Sequence, residues 1–499
     1  MKKNFCMLLV ALLLLAFAPA SLAEETATVD MTEPVEIEIM AYFVMDVDPD
    51  TDPIMQYLEE KFNVDFTITL TNIDNYADTL NMRVASGDMP DWFRITDQSV
   101  YGVLQEDGLL LNVSELVDKY GFENIQAAFD APNASILATD GVFYRVPDTI
   151  GKLCRCIYFR ADWLEELGIE TPTTYDEMVD ALRQIVEADP DGNGTTGLTC
   201  YGLWCLEGIA PSWTGYNTWG QDADGNLVYW YEDDNYKDFL AWVNMLYEEK
   251  LLDNELFVNS YETCMEKLNT GRAGFYMMNL NTTWWSNNAT MLANYDPEAR
   301  LGVTVPMLEG PAGAYAATDI GYYADSAFSA DMDETKAARI LAIMDYLLSD
   351  EGRELTLYGY EEGKYYEVVD GKKVQKEDVV NLEWGQALHF MGELADFGTS
   401  DMLASAPEVV EWYAYLDDPA NCAPNLTGYF YNEDATAIWA EVTEVATRYT
   451  TAFVTGEMDI ETQWQEFQDA MNAAGLQEYK ALLKEYVDAQ GIELGSVLS

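Results

Sequence analysis

The alternation of apolar and polar residues near the start of the chain predicts a βαβαβ unit. Val35–Met40 and Val64–Leu70 alternate as strands with one buried face do, and a helix begins between them at Asp52-Pro53. A second helix over about residues 76–85 leads to a third strand, Trp92–Ile95. These elements indicate an open, doubly wound α/β sheet, in which ligands bind beyond the carboxyl ends of the strands.

Residues that follow the first and third strands are therefore candidate ligand contacts. Tyr42 and Phe43 come after the first predicted strand, and Thr96 and Asp97 come after the third. Trp92 starts its strand instead, so we predict that its ring lies in the core.

A second α/β region follows further along the chain. The strand Cys154–Phe159 leads to a helix over residues 161–167, and Thr173–Asp176 has the residues that begin another. The periodicity then predicts a helix over 235–250 and a strand over 272–278. Because no internal repeat or low-complexity linker separates these regions, we expect two lobes joined by strand crossings.

Residues 1–23 have the pattern of a secretory signal. Lys2 and Lys3 precede an apolar run over residues 7–17, which is about half the length that a membrane helix needs, and a small-residue cleavage site follows. Cys6 lies before the run, where it cannot carry a lipid anchor. We expect an exported protein that is extracellular, at the cell surface or periplasmic, and that is not a lipoprotein.

The composition excludes several classes of partner. The chain has 88 acidic and 26 basic residues and a net charge of −62, which repels nucleic acid and anionic membrane surfaces. Nearly half of the residues are apolar, and 13 Trp and 32 Tyr are present, so the chain can bury large cores. We predict a globular protein of two or three domains.

Cysteine spacing gives no metal or redox motif. Cys200 and Cys205 are close enough in sequence to form a disulfide, whereas Cys154 and Cys156 point the same way along a strand. No pair has the two-residue spacing of a zinc or redox site. Buried free thiols are the favoured interpretation.

The sequence resembles the family 1 extracellular solute-binding proteins, broadly those that bind maltodextrin and more closely their larger oligosaccharide-binding subgroup. The motifs that carry this resemblance are Ser86–Asp91, Tyr158–Leu164, Asp189–Gly194, Tyr358–Tyr366, Phe453–Met458 and Trp464. Each motif alone is weak, but their order and spacing through nearly the whole mature chain are specific.

The resemblance implies a two-lobed, periplasmic-binding-protein-like type II fold, in which each lobe is an open sheet flanked by helices. Residues 24–148 and about 290–345 form lobe 1, and residues 149–289 and about 346–499 form lobe 2 with the C-terminal helices. Crossing strands near 146–153 and 307–319 form the hinge. The resemblance also implies that a sugar is held in the cleft between the lobes.

Sugar capture requires aromatic rings beside amide and carboxylate groups, because the C–H face of a pyranose packs on a ring while its hydroxyls need polar partners. Two segments, 213–219 and 279–286, have this composition. The resemblance implies that Trp284 and Trp285 of the second segment stack on sugar. Alternatively, one of these two neighbouring tryptophans lies in the core. The predicted ligand-binding residues are Tyr42, Phe43, Thr96, Asp97, Trp213, Tyr216, Trp219, Trp284, Trp285 and Tyr322.

Asp189, Asp191, Asn193 and the Thr195 carbonyl match the first half of an oxygen-rich calcium loop. The twelfth position is Cys200 instead of a bidentate Glu, so a metal-free Asx turn is the alternative. A similar segment, Asp222 to Asn226, is interpreted as a hairpin turn. Calcium is therefore a candidate ligand but no cofactor is required.

The main alternative to a binding protein is a secreted glycoside hydrolase, or another glycan-active enzyme, that uses paired carboxylates. The acidic residues are abundant, and their spacing singles out no catalytic pair. His389 is the one histidine of the chain, so a nucleophilic Ser-His-Asp or Cys-His site would depend on it. No phosphate-binding loop with its Lys-Ser/Thr is present, so ATP hydrolysis would belong to a partner. We predict a monomeric, non-enzymatic carrier that delivers a small carbohydrate to the membrane subunits of an ABC importer.

Overall fold

The computed structural model describes residues 26–43, 52–95, 98–131, 134–147, 155–280, 282–319, 325–369, 371–376, 407–428 and 430–497. The predicted signal segment lies outside the described residues, as do Thr96, Asp97, Cys154, Tyr322 and His389.

Sixteen strands and eighteen α-helices are named here within those residues. The strands are β1 (Val35–Phe43), β2 (Val64–Asn72), β3 (Trp92–Ile95), β4 (Arg145–Pro147), β5 (Arg155–Arg160), β6 (Thr196–Thr199), β7 (Trp219–Gln221), β8 (Leu227–Tyr229), β9 (Ala273–Asn279), β10 (Leu301–Val303), β11 (Ala316–Asp319), β12 (Asp325–Phe328), β13 (Tyr366–Val369), β14 (Lys372–Gln375), β15 (Cys422–Asn425) and β16 (Gly495–Ser496). The helices are α1 (Pro53–Phe62), α2 (Ile73–Ser86), α3 (Gln98–Glu106), α4 (Val113–Tyr120), α5 (Glu123–Phe129), α6 (Ala161–Leu167), α7 (Tyr175–Ala188), α8 (Leu203–Leu206), α9 (Pro211–Thr214), α10 (Asp234–Glu248), α11 (Tyr261–Asn269), α12 (Thr282–Tyr295), α13 (Glu334–Leu348), α14 (Asp350–Tyr358), α15 (Pro407–Leu416), α16 (Glu433–Thr455), α17 (Ile460–Ala473) and α18 (Leu476–Gln490).

The predicted βαβαβ unit is confirmed, and local signals explain its helix ends. The Asp52 carboxylate accepts the N–H of Ile54 at 2.9 Å and starts α1, with Pro53 at the first helical position. In the second region, Gly168 takes the left-handed conformation that ends α6. Both β3 and α6 have the predicted bounds.

The first lobe is built on a five-stranded sheet with the order β2-β1-β3-β12-β4. β1, β2 and β3 are parallel, whereas β12 runs antiparallel to both of its neighbours. Helices α1, α4, α5 and α13 cover one face, where Trp92 is fully buried as predicted. The other face holds a smaller core around Phe93 and Tyr101.

The second lobe is built on a four-stranded sheet with the order β10-β5-β9-β6. Its core is continuous with apolar side chains of α7, α10 and the C-terminal helices α15 to α18. None of the helices in the described ranges is both long and apolar enough to cross a membrane.

The division of the chain between the lobes differs from the predicted boundaries. β10 belongs to the predicted first-lobe segment 290–345 but pairs with β5 in the second sheet. Met307 and Leu308 are buried in the second core, and β11 pairs with β15. The chain returns to the first lobe between β11 and β12, after the predicted crossing at 307–319. Helices α13 and α14 then pack on the first sheet, because their apolar faces complete its core.

The cysteines follow the buried-thiol interpretation. Cys200 and Cys205 both carry free thiols in the core of the second lobe. The Cys205 Sγ donates to the carbonyl of Met277 at 3.1 Å, and burial raises the pKa of both thiols. Both thiols therefore pack in the second-lobe core as small apolar groups, with Cys205 against β9.

A buried ion pair joins β4 to β12 in the first sheet. Arg145 Nη1 lies 3.0 Å from Asp325 Oδ2, and the two side chains are 2% and 3% exposed. Arg145 also donates to Gln98 and lies 3.7 Å from the centroid of the Tyr101 ring. Burial raises the pKa of Asp325, whereas the guanidinium groups of Arg145 and Arg94 oppose that rise.

Replacement of Asp325 by Ala is expected to lower the free energy of unfolding of the first lobe by about 3–5 kcal/mol, because Arg145 would keep a buried, uncompensated charge. Calorimetry measures this loss. The matched control is Lys61→Ala, which removes an exposed ion pair with Glu351 and should leave the melting temperature unchanged. Equal stability of the Asp325→Ala protein and its parent would contradict a structural role for the buried pair.

Candidate ligand-binding site

Strand register defines the carboxyl edge of the first sheet. β1 and β3 are parallel and end at Phe43 and Ile95. Ile95 lies opposite Asp325, and Asp325 lies opposite Pro147. Because the chain leaves this sheet at Pro147, the edge lies beside the crossing to the second lobe.

The second sheet receives the chain at Arg155, the first residue of β5, which pairs with Asn279 at the end of β9. Residues 148–154 connect Pro147 to Arg155, and an extended chain spans at most about 3.5 Å per residue. This connection keeps the two edges within about 28 Å of each other, and we call them the facing edges. In open α/β sheets, ligands bind outside the carboxyl ends of the strands.

One aromatic ring at the second facing edge belongs to Trp285. This residue lies in the first turn of α12, which begins three residues after β9. Its partly exposed indole stacks on Tyr158, with ring centroids 6.2 Å apart and planes inclined by 22°. The hydroxyl of Tyr158 donates to the carbonyl of Asn279 at 2.8 Å, so the ring beneath Trp285 is fixed to the end of β9.

A second ring at this edge, Trp204, was missed by sequence reasoning. Trp204 is 49% exposed, and it is the one exposed tryptophan among those whose side chains the structure describes. The guanidinium of Arg155 lies 4.4 Å from its ring centroid, and Tyr201 packs edge-on at 4.8 Å. The indole also lies over Gly202, where an added Cβ would be 2.6 Å from the ring. The ring is therefore held firmly while half of its surface stays accessible.

Trp204 follows β6 by five residues, and β6 runs parallel to β9. Tyr42 and Phe43 were selected because they follow a predicted strand. The same criterion applied to β6 would have selected Tyr201 and Trp204, but β6 was not predicted from the sequence. The apolar run that contains Trp204 instead suggests a buried helix.

A partly buried carboxylate, that of Glu207, lies behind the same edge. Glu207 accepts hydrogen bonds from the hydroxyls of Tyr231 and Tyr236, both at 2.6 Å. Burial raises the pKa of Glu207, while these two hydroxyls and the nearby Arg155 oppose the rise. The stem of Arg155 packs over Gly208, so Arg155 connects this partly buried carboxylate to the exposed Trp204 ring.

The aromatic side chains of the predicted segment 213–219 are buried in the core of the second lobe. Trp213 is 5% exposed and contacts the rings of Tyr175, Phe239 and Trp242, with centroids 4.5 to 5.2 Å apart.

Tyr216 and Trp219 are equally enclosed. The Tyr216 hydroxyl donates to Asp233 at 2.8 Å, and Trp219 stacks on Tyr229 and Tyr479. As ligand contacts these three residues stay predictions, and their burial favours packing between the second lobe and its C-terminal helices.

The other predicted ligand contacts are placed through the backbone. Tyr42 and Phe43 end β1 at the first facing edge, and Trp284 lies in the first turn of α12. Thr96 and Asp97, which follow β3, and Tyr322 lie outside the described residues.

Comparison with known proteins identifies the class of this two-lobed chain. The family model of the bacterial extracellular solute-binding proteins matches residues 48–354, more than half of the chain. The chain belongs to this family. The resemblance inferred from the sequence motifs is thereby confirmed, and the family is one of binding proteins, not enzymes.

Two curated relatives of this solute-binding protein have named ligands. FusA of Streptococcus pneumoniae serotype 4, a fructooligosaccharide ABC transporter substrate-binding protein, is 27% identical over 290 residues, which are 53% of this chain and 51% of FusA. The chain thus spans about half the length of FusA. YtcQ of Bacillus subtilis, a polygalacturonan/rhamnogalacturonan-binding protein, is 24% identical over 351 residues, which are 67% of this chain and 68% of YtcQ.

Solved structures agree with the fold of this solute-binding protein. The alginate-binding protein AlgQ2 without calcium ion superposes with a TM-score of 0.71 at 20% identity, covering 93% of this chain and 100% of that one. The EF-hand mutant of S. pneumoniae FusA in complex with fructo-nystose gives a TM-score of 0.68 at 20% identity, covering 92% and 99%. These likenesses establish the two-lobed, periplasmic-binding-protein-like fold.

The predicted calcium loop of this solute-binding protein is held by its own hydrogen bonds. The Asp189 carboxylate accepts the N–H groups of Gly194 and Thr195, and the Thr195 N–H, at 3.0 Å, lowers the pKa of Asp189. The amide of Asn193 donates to the Thr270 carbonyl at 3.1 Å. Asp191 Oδ2 lies 3.7 Å from Nη1 of the buried Arg160.

The residues present do not fit calcium, which takes six to eight oxygens. The ninth position is Gly197, and the twelfth is Cys200, whose thiol is buried in the core. After Thr195 the chain enters β6, which carries the second half of the loop into the sheet. Among the described residues, no group of three His, Cys, Asp or Glu side chains is placed to hold a metal ion. Arg160 supplies the positive charge beside Asp191 instead.

Addition of millimolar calcium is therefore expected to leave the melting temperature of this protein equal to that in chelator, because a ligand stabilises a fold only when it binds the native state. Differential scanning fluorimetry measures both conditions. The Asp191→Ala variant is expected to respond to calcium no differently from its parent. A calcium-dependent rise that Asp191→Ala abolishes would contradict the metal-free loop.

Proposed function

We propose that this protein is an oligosaccharide-binding component of an ABC importer. The observation that carries the proposal is the exposed ring of Trp204 together with the partly exposed ring of Trp285, both at the facing edge of the second lobe in a chain of the solute-binding family. The names of FusA and YtcQ support a carbohydrate as the solute.

The chemistry of the second facing edge suits a sugar. Tryptophan faces pack against the C–H groups of a pyranose or furanose ring, and neighbouring amide and guanidinium groups bond its hydroxyls. Asn279 and Arg155 lie beside the two rings and are the proposed polar partners. Two platforms at one edge favour an oligosaccharide over a single sugar unit.

Transport requires that the loaded state differ from the empty one. A sugar that touches both facing edges would stabilise an arrangement with the lobes drawn together, by hinge motion about the crossing segments. The membrane subunits of the importer would then recognise the loaded form, and energy from ATP would come from that partner. The proposal includes export through the predicted signal at residues 1–23, action as a monomer, and a location that is extracellular, at the cell surface or periplasmic, without a lipid on Cys6.

Incubation of the mature protein with a panel of neutral and acidic oligosaccharides is expected to give binding to at least one member and no change in its length. Calorimetry detects binding, and chromatography of the recovered sugar detects cleavage. Binding is expected because the rings at the facing edge are accessible. Protein-dependent appearance of shorter products would replace the carrier with a glycoside hydrolase.

Truncation of the Trp204 and Trp285 rings is expected to weaken sugar binding without unfolding the protein. Trp204→Ala and Trp285→Ala should each reduce affinity for the sugar found in the panel by at least about tenfold, because aromatic anchors of binding sites typically contribute about 2 kcal/mol or more. Titration calorimetry measures the affinity, and melting temperatures should stay near the parental value.

The matched control is Trp213→Ala, which removes an equally large ring from the core. This change is expected to lower the free energy of unfolding by about 3–5 kcal/mol. Normal binding by both Trp204→Ala and Trp285→Ala would place the sugar elsewhere.

A further inference from the structure

One side-chain contact bridges the two lobes at a helix that borders the first facing edge. Helix α3 begins three residues after β3 and carries Gly102 at its middle. The ring of Tyr431, from the second lobe, lies directly against this glycine. A Cβ added at Gly102 would overlap the ring carbons Cγ, Cδ1 and Cε1 of Tyr431. The lobes can meet here only because position 102 has no side chain.

The backbone of α3 gives no other reason for a glycine. Gly102 has ordinary helical geometry without a positive φ, and glycine is among the least favourable residues inside a helix. Its neighbours Tyr101 and Leu104 point into the first-lobe core, while Val103 is exposed. Space for the Tyr431 ring is therefore the property that glycine supplies.

The position of Tyr431 is fixed from the second lobe. Tyr431 precedes Asn432, whose side chain accepts the N–H of Ala435 at 3.0 Å and caps α16. Helix α16 packs against α10, α17 and α18, so the ring is attached to the helical part of the second-lobe core.

Charges from both lobes surround the same ring. Burial raises the pKa of Tyr431, and the carboxylates of Glu106, Glu433 and Asp107 raise it further. Glu106 and Asp107 belong to the first lobe and Glu433 to the second, so carboxylates approach one another across this contact. Such repulsion has to be offset by close packing where the lobes touch.

We propose that the contact between Gly102 and Tyr431 sets how closely the two lobes approach. A side chain at position 102 would act as a wedge that holds the facing edges apart. The use of this separation in sugar capture rests on the proposed function, whereas the contact itself does not.

The test is small-angle X-ray scattering of the mature protein without any sugar, so its result is independent of whether the protein binds carbohydrate. Gly102→Leu is expected to give a larger radius of gyration than the parent. The double variant Gly102→Leu/Tyr431→Ala is expected to return to the parental value, because the ring that meets the wedge is gone. Val103→Leu, one position along the same helix on its exposed side, is the matched control and should change nothing.

Unfolding is separated from lobe opening by a milder variant. Gly102→Ala is expected to enlarge the radius of gyration slightly while its melting temperature stays equal to or rises above the parental one, because alanine is the better helix former. An unchanged radius in Gly102→Leu, or an enlarged radius that persists in the double variant, would overturn the proposal.

Discussion

The buried pair of Arg145 and Asp325 is the interaction on which the arrangement of the two lobes depends. It joins β4 to β12, the two strands of the first lobe that lie next to the crossings. A charge buried without its partner is strongly destabilising, so the pair specifies the register of these strands at the facing edge. That register places Pro147 opposite Asp325, where the chain leaves and re-enters the first lobe, and so fixes where the second lobe must begin.

Aromatic side chains serve two separate purposes in the second lobe, and their polar neighbours distinguish them. Tyr216, Tyr231 and Tyr236 are buried with their hydroxyls donated to Asp233 or Glu207, as buried polar groups require. Trp204 and Trp285 instead lie at the end of the sheet, where Trp204 packs on Arg155 and Tyr201, and Trp285 stacks on Tyr158. Rings of the first kind stabilise the fold, and rings of the second kind are available to a ligand.

Much of the fold could be predicted from the sequence because its signals are local. The alternation over β1, the Asp52-Pro53 start of α1 and the Gly168 end of α6 each depend on residues within one or two turns. The lobe boundary near β10 could not be predicted in this way, because its position is decided by pairing with β5, far away in sequence. Burial of segment 213–219 was missed for the same reason. Its glycine and mixed aromatic composition suits a binding loop, but distant helices cover it.

The negative charge of the chain opposes the approach of the two lobes in the proposed binding cycle. With a net charge of −62, both lobes carry excess negative charge, and carboxylates meet where Tyr431 contacts α3. Repulsion at short range opposes approach, while salt weakens it beyond about 8–10 Å. A ligand can shift such an equilibrium only by its difference in affinity for the two arrangements, so it must touch both lobes to draw them together. A neutral ligand with many hydroxyls meets this requirement without adding charge, whereas an acidic ligand needs a cation of its own. Arg160 already forms ion pairs with Asp162 and Asp191. Among the described arginines of the second facing edge, Arg155, beside the Trp204 ring, is therefore the one placed to bind an acidic ligand.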